Sequence, residues 1–357
     1  MNFNIKKHNL ADILNLHFNV FDPLNKFVSK NEFLSIINGY KLLNGKFFPF
    51  PIFFNIKSSE YKKIKKKKKL NLFYRSKSVC TLLIKSIYTI DKKKVGSKLF
   101  KTKDINHPGF KFFLRSGEYF IDGKIISFNK NILKKLDFTF PNLIKKKLNK
   151  YNLKTIAGFH TRNAPHKSHE WIHDLGIKKC DGLLIHPMTG QFKTREYRDE
   201  IIIKTNKFLV EKIYKKKYIL FGIFYSYPRY GGPREALLHA LIRKNYGCTH
   251  FLIGRDHAGI NSYYKKYESQ ELCKKKESQL GIKIIKFKEP FLCKSCNKIK
   301  NNKKHGCKKL KIKKINGTEI RNFLIKNKKI PEYLMRKQIS NLLSKKSLIL
   351  NSSKKFH

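Results

Sequence analysis

Gly158-Phe159-His160-Thr161-Arg162-Asn163-Ala164-Pro165-His166-Lys167-Ser168-His169 decides how this chain is read. The apolar run Thr155-Ile156-Ala157 before it predicts a buried strand. Glu170-Trp171-Ile172-His173-Asp174-Leu175-Gly176 after it predicts the first turns of a helix closed by glycine. Strand, polar loop and helix start form the place where an α/β sheet receives phosphate, because free N–H groups and the positive helix end face the anion. His166 and His169, three apart, fall on one helix face and can reach one phosphate chain. Arg162 adds a planar fork for an oxyanion. Two histidines and an arginine on a loop are also what an ordinary solvated surface offers, so the rest of the chain has to weigh in.

Working outward, strands and helices alternate on the C-terminal side. Cys180-Asp181-Gly182-Leu183-Leu184-Ile185-His186-Pro187 predicts a strand running into a polar loop, and residues 218–225 predict another strand. Gly232-Pro233-Arg234-Glu235 opens a helix over 236–245, with proline in its first turn. Thr249-His250-Phe251-Leu252-Ile253 is the next strand and leads into Gly254-Arg255-Asp256-His257-Ala258-Gly259. Such alternation predicts a parallel sheet with helices on both faces and ligands beyond the carboxyl ends of its strands. Toward the N-terminus the pattern changes. Residues 1–135 carry short apolar runs broken by Gly, Pro, Asn and Asp, and 119–126 predicts a hairpin with an Asp122-Gly123 turn. This part is read as a β-rich domain, a small barrel. The lysines of 62–69 are read as a solvated loop. The expected division is 1–135 for the β-rich domain, 136–318 for the catalytic domain and 319–357 for a small C-terminal helical segment.

The chain has 357 residues and a formal charge of +56. That charge suggests a nucleic-acid binder. Yet there are 69 lysines to 11 arginines, spread from end to end, alongside abundant Asn, Ile, Phe and Tyr. A gene rich in A/T codons gives this pattern with no polyanionic partner, so only weak, salt-sensitive binding to nucleic acid is expected. Arginine is more telling where lysine is the default. Arg162, Arg195, Arg198, Arg229, Arg234, Arg243 and Arg255 cluster where forks rather than point charges are needed. Seven cysteines, an odd number and mostly isolated, fit a reducing compartment. No signal peptide is visible in residues 1–18 and no apolar run is long enough to span a bilayer, so a cytoplasmic protein is expected. Cys293-Lys294-Ser295-Cys296 followed by Cys307 has the character of a structural zinc site. His305 is the nearest fourth ligand, although a single residue between it and Cys307 strains a shared tetrahedron. The alternative is a degraded knuckle with no metal.

Together these landmarks resemble the sulfate adenylyltransferase (ATP sulfurylase) family. Its loop reads Gln-Thr-Arg-Asn-Pro and then His-x-x-His, against His160 to His169 here. Its Gly-Arg-Asp-His-Ala-Gly signature is intact at 254–259. Phe21-Asp22-Pro23-Leu24-Asn25-Lys26-Phe27, Asp104-Ile105-Asn106-His107-Pro108-Gly109, 230–247 and Ile315-Asn316-Gly317-Thr318-Glu319-Ile320-Arg321 match further landmarks in order. His160 stands for the usual Gln, Asn316 for Ser and Lys26 for Gly, and a Pro-His-Gly-Gly stretch is missing.

The resemblance implies a β-rich PUA-like barrel, a Rossmann-like nucleotidyltransferase α/β domain with a parallel sheet, and a small C-terminal domain, without the kinase-like extension of some relatives. It implies that ATP and sulfate give adenosine 5′-phosphosulfate and pyrophosphate, with Mg2+ travelling on the ATP phosphates. By the same carry-over, Thr161, Arg162 and Asn163 are catalytic. His160, Arg162 and the backbone near Ala258 hold sulfate. His160, Thr161, Arg162, Asn163, His166, His169, Gly254, Arg255, Asp256 and His257 bind ATP, with the two loop histidines on the β- and γ-phosphates. A homo-oligomer is expected, with no specific nucleic acid and no membrane. Another His-x-x-His nucleotidyltransferase with a different acceptor is the alternative within the same chemistry. A basic nucleic-acid-binding protein is the alternative outside it.

Overall fold

The computed structural model describes residues 2–190, 194–260, 262–307 and 311–350. The last part of the expected C-terminal segment, 351–357, lies outside the described residues. In chain order the elements begin with β1 (Asn2–Asn4), α1 (Lys7–His17), α2 (Lys30–Gly39), β2 (Phe54–Ile56), α3 (Ser58–Ile64), β3 (Lys69–Tyr74), β4 (Lys77–Tyr88), α4 (Lys92–Phe100), α5 (Pro108–Arg115) and β5 (Tyr119–Phe128). Then come α6 (Pro141–Lys150), β6 (Ile156–Thr161), α7 (Lys167–Ile177), β7 (Gly182–Thr189), α8 (Asp199–Phe208), β8 (Ile219–Phe221), β9 (Phe224–Tyr225), α9 (Pro233–Asn245) and β10 (His250–Ile253). The chain closes with α10 (Glu268–Lys275), α11 (Glu277–Leu280), β11 (Lys283–Lys286), β12 (Phe291–Cys293), β13 (Lys298–Lys300), β14 (Ile312–Lys314), α12 (Gly317–Ile325) and α13 (Lys337–Ser340). No described helix is long and apolar enough to cross a membrane.

Two compact units share this chain. The first takes residues Met1–Pro141, Pro228–Tyr246 and Asp256–Ile282. Its sheet runs β1-β3-β4-β5-β2. Phe33, Phe53, Phe113 and Phe120 contact one another as tilted, stacked and edge-on rings in its core. The expected hairpin at Asp122-Gly123 is corrected: β5 runs straight through both residues. The ladder with β4 slips between Ile84 and Ser86, opposite them, with Lys85 the extra residue of a bulge on β4, while Asp122 and Gly123 stay paired. Asp122 is held by Lys26, whose Nζ sits 3.0 Å from its carboxylate and 2.9 Å from Glu32. The lysine in the place of the usual glycine thus neutralises a nearly buried acid. The lysines of 62–69 are exposed as expected except for Ile64 among them, but they are divided between the end of α3, a turn and the start of β3.

Arginine's preference for forks is met here mostly by the protein itself. Arg229 pairs with buried Asp12. Arg234 donates to the carbonyls of Ile36, Ile37 and Pro49 at 2.9–3.0 Å. It thereby satisfies the Ile37 carbonyl, in the last turn of α2, which has no partner within its own helix. Arg243 is fully buried.

The second unit takes Asn142–Tyr227, Gly247–Arg255 and Lys283–His357. Its sheet is parallel throughout, in the order β11-β10-β6-β7-β8, with β9 continuing on β7. β6 therefore lies in the middle, flanked by β10 and β7. The single strand expected over 218–225 is two short ones, β8 and β9, that pair with successive parts of β7. β7 is also longer than expected and continues through Pro187 to Thr189, which places His186 within the strand rather than in a loop. Gly176 does not close α7. The helix continues to Ile177, and a Cβ at Gly176 would stand 3.0–3.2 Å from Leu252, Ala157 and Leu183. The glycine lets the helix lie close on β6, β7 and β10. A separate antiparallel sheet, β13-β12-β14, follows.

Candidate active site and cysteine cluster

The polar loop leaves the sheet at the carboxyl end of its central strand. His160 and Thr161 are the last residues of β6, opposite His186 and Pro187 on β7, so the loop itself is only residues 162–166. α7 begins at Lys167 with His166 as its N-cap residue, whose side chain makes no cap bond. The Lys167 amide donates to Leu334 O at 2.9 Å. The amides of Ser168 and His169 have no acceptor among the described residues, as a helix start requires unless a ligand or water supplies one.

The two histidines meet. Their rings stack at 3.7 Å between centroids, and Phe159 presents its ring to His169 at 5.1 Å. His166 is buried and His169 half-buried, and the Nδ1 atoms of both are buried with no partner among the described residues. Burial, then the positive charge of Arg321, pushes His166 down to about 3. Burial, then the neighbouring His166 and His173, holds His169 well below the ordinary histidine value. Behind them, His173 Nδ1 lies 2.8 Å from the Tyr214 hydroxyl, and burial pushes it to about 3. A row of three neutral imidazoles thus lines one face of α7.

Asn163 is tethered through three groups. Its N–H donates to Thr161 Oγ1 at 3.1 Å, its carbonyl accepts from Asn206 Nδ2 at 3.1 Å, and its Oδ1 accepts from Arg321 Nη1 at 2.8 Å. Arg162 is half-buried and has neither an ion pair nor a hydrogen bond among the described residues. Burial depresses the Arg321 guanidinium, Tyr197 and Glu196 oppose that, and the charge of Arg162 depresses it further. An unpaired guanidinium held near a second one is a feature that favours an anion. Arg321 is the residue that the sequence reading left out of the site. Its signal was available: arginine is scarce in this chain, and the reading of its distribution stopped at 255.

The Gly254–Gly259 stretch is divided between the units after Arg255. In the second unit, Gly254 follows β10 and faces Phe287, whose ring a Cβ would meet at 2.6 Å. Arg255 donates to Glu289 Oε2 at 2.6 Å. In the first unit, Asp256 and Ala258 both have left-handed backbones, with φ of 51° and 57°, an arrangement non-glycine residues adopt at a cost. His257 Nε2 lies 3.1 Å from His239 Nδ1, and Ser269 Oγ donates to the His257 carbonyl at 2.7 Å. Gly259 has no positive φ, and a Cβ there would stand 3.3 Å from the carbonyl oxygen of Asp256. Asn316 takes over the work of the usual serine: its Oδ1 caps α12 by accepting from Glu319 N at 2.8 Å.

Cys293, Cys296, His305 and Cys307 converge, with every candidate ligand atom within 4.8 Å of the others. The expected strain from His305 and Cys307 being two apart is relieved by Gly306, whose φ of 92° turns both side chains to one point. Cys293 Sγ is 3.8 Å from Cys307 Sγ, and Cys296 Sγ is 3.8 Å from His305 Nε2. A tetrahedral zinc with bonds of about 2.3 Å to sulfur puts its sulfurs about 3.8 Å apart. His305 Nδ1 lies 2.9 Å from Asn302 O, which leaves Nε2 to ligate. Burial pushes the Cys293 thiol up, but the Cys296 backbone, His305 and Ser295 outweigh it and hold it at about 6. Burial and the neighbouring sulfurs push Cys307 up to about 11.

Two family models match the chain: a PUA-like domain over residues 1–130 and ATP-sulfurylase over 137–346. Curated relatives match over nearly all of it. The sulfate adenylyltransferase of Ignicoccus hospitalis is 32% identical over 340 residues, which cover 93% of this chain and 87% of that protein. That of Pyrococcus abyssi is 33% identical over 333 residues, with the same coverage. Among solved structures, a hexameric APS kinase from Thiobacillus denitrificans superimposes with a TM-score of 0.73 at 13% identity. The match covers 96% of this chain and 62% of that one, and at that identity it speaks to the fold alone.

Proposed function

The chain belongs to the ATP-sulfurylase family, and from that premise we propose how it acts as a sulfate adenylyltransferase. A sulfate oxygen attacks the α-phosphorus of ATP in line. The new P–O bond forms as the bond to the β-phosphate oxygen breaks, and its electron pair leaves with pyrophosphate. Sulfate is already ionised, so no general base is needed; holding two anions together and stabilising the leaving charge is the whole task.

Arg162 grips sulfate, with His160 beside it at the end of β6. Thr161 and Asn163 donate to the α-phosphate. His166 and His169 meet the β- and γ-phosphates, joined by the open amides of Ser168 and His169. Gly254 and Arg255 belong to the nucleotide side. For Asp256, His257 and Ala258 the support is the shared motif, with left-handed backbones at Asp256 and Ala258. Mg2+ supplies charge neutralisation when it arrives with ATP. Zinc fits Cys293, Cys296, His305 and Cys307 as a structural ion. A cytoplasmic homo-oligomer completes this reading.

The observation that carries the proposal is the unpaired Arg162 guanidinium near Arg321, beyond the carboxyl end of the central parallel strand. Pyrophosphate release from ATP, measured with and without sulfate or molybdate, tests it. Dependence on either anion is expected. Release without that dependence indicates another acceptor, and no release, with nucleic-acid binding that survives physiological salt, refutes the enzyme.

A further inference from the structure

Asn163 has one hydrogen-bonding group left. Its N–H, its carbonyl and its Oδ1 are all occupied. Because a guanidinium only donates, the amide atom facing Arg321 is the oxygen, which settles the orientation of the side chain. The NH2 end has no partner among the described residues and faces away from Arg321. Arg321 is itself fixed: Nη2 donates to Thr318 Oγ1 at 3.2 Å, and a Cβ at Gly317 would stand 3.3 Å from Nη1 and 3.4 Å from Asn163 Oδ1. The glycine therefore leaves just the room this contact needs.

We propose that Arg321 is a positioning residue that locks the Asn163 amide with its oxygen turned inward, so that only N–H donors meet the anion bound at the 162–166 loop. Released from Arg321, the amide can rotate and present its oxygen, exchanging an attraction to the phosphate for a repulsion. Arg321 thus acts on the reaction through Asn163. The proposal rests on the adenylyl-transfer reading above, in which Asn163 donates to the α-phosphate.

A double-mutant cycle tests it. Arg321→Met is expected to lower turnover on the order of thirtyfold in the otherwise native chain, the scale of a lost hydrogen bond to a charged group. In an Asn163→Ala background the same change should cost less than about threefold, since the amide it orients is gone. Equal factors in the two backgrounds overturn the proposal. Where Arg321→Met does not fold, Arg321→Lys is run through the same cycle with the same criterion.

A second arm needs no turnover. Asn163→Asp puts a carboxylate against Arg321, so the melting temperature should hold or rise while ATP alone, without sulfate, binds at least tenfold more weakly. A clear drop in melting temperature, or unchanged ATP binding, refutes the tether. If the native chain releases no pyrophosphate in response to sulfate, it is the reaction that fails, and this arm still decides the role of Arg321.

Discussion

Acidification should loosen the second unit through the row of histidines on α7. His166 and His173 are buried as neutral rings at about 3, against 6.5 for a free histidine. Below 6.5 the unfolded chain takes up protons that the folded one refuses, so stability is full above 6.5 and falls as the pH drops toward 3. Each such histidine withdraws ~1.4 kcal/mol per pH unit. Two together reach ~5 kcal/mol by about pH 4.5, comparable with the whole stability of many domains. The perturbation is His173→Gln, which keeps an acceptor for the Tyr214 hydroxyl but cannot titrate. Trp171, the only tryptophan in the chain, lies on α7 with its ring 6.4 Å from that of Phe287 and reports unfolding there. Urea midpoints followed by its fluorescence between pH 7 and about pH 5 should give a slope shallower by ~1.4 kcal/mol per pH unit in the variant. Carboxylates contribute equally to both proteins and cancel in the difference. Identical slopes would mean that His173 is not held neutral, and the account of the row would fall with it.

Arg162→Lys keeps the charge but loses the fork, and should lower sulfate-dependent turnover on the order of a hundredfold; near-normal turnover in the folded variant removes Arg162 from the sulfate site. His169→Ala should cut turnover far more than it raises the Michaelis constant for ATP, because charge on the leaving pyrophosphate grows in the transition state. Steady-state kinetics with melting curves on the same sample separate that from a packing defect. Gly306→Ala leaves every cysteine and His305 in place but strains a backbone at φ 92°, so zinc affinity measured by chelator competition should fall about tenfold; unchanged affinity denies zinc this site.

Periodicity made the parallel sheet legible, because strands buried on both faces read as continuous apolar runs. It failed where local chemistry has two uses. Asp-Gly forms a tight turn or runs on in a strand, and at Asp122-Gly123 the partners are β4 and Lys26, both remote in sequence. Glycine after a helical run can cap it or allow close packing, and at Gly176 the deciding neighbours are Leu252, Ala157 and Leu183. The site was legible as a motif. Its support was not: the contacts from Arg321 and Asn206 to Asn163 cross 158 and 43 positions of sequence. Arginine's clustering was read as a need for forks; in Arg229 and Arg234 the guanidinium serves a carboxylate and backbone carbonyls rather than a ligand. For the metal site, residue counting predicted strain that one left-handed glycine removes.

The chain passes between the two units five times, at the bonds after Pro141, Tyr227, Tyr246, Arg255 and Ile282. During synthesis the first unit is therefore begun first and completed first, but only at Ile282, after five strands of the second unit (β6 to β10) have been made. Its sheet has emerged by Phe128, yet α9, α10 and α11, which belong to the same unit, are not all available until Ile282 has been added. The intervening stretch of about 140 residues takes roughly ten seconds or more at the ribosome. Through that interval Asp12 waits for Arg229, and the carbonyls of Ile36, Ile37 and Pro49 wait for Arg234, while more than half of the second unit is being made. The exposure a nascent chain of this order carries is set by where its segments lie in the gene rather than by the stability of either finished unit.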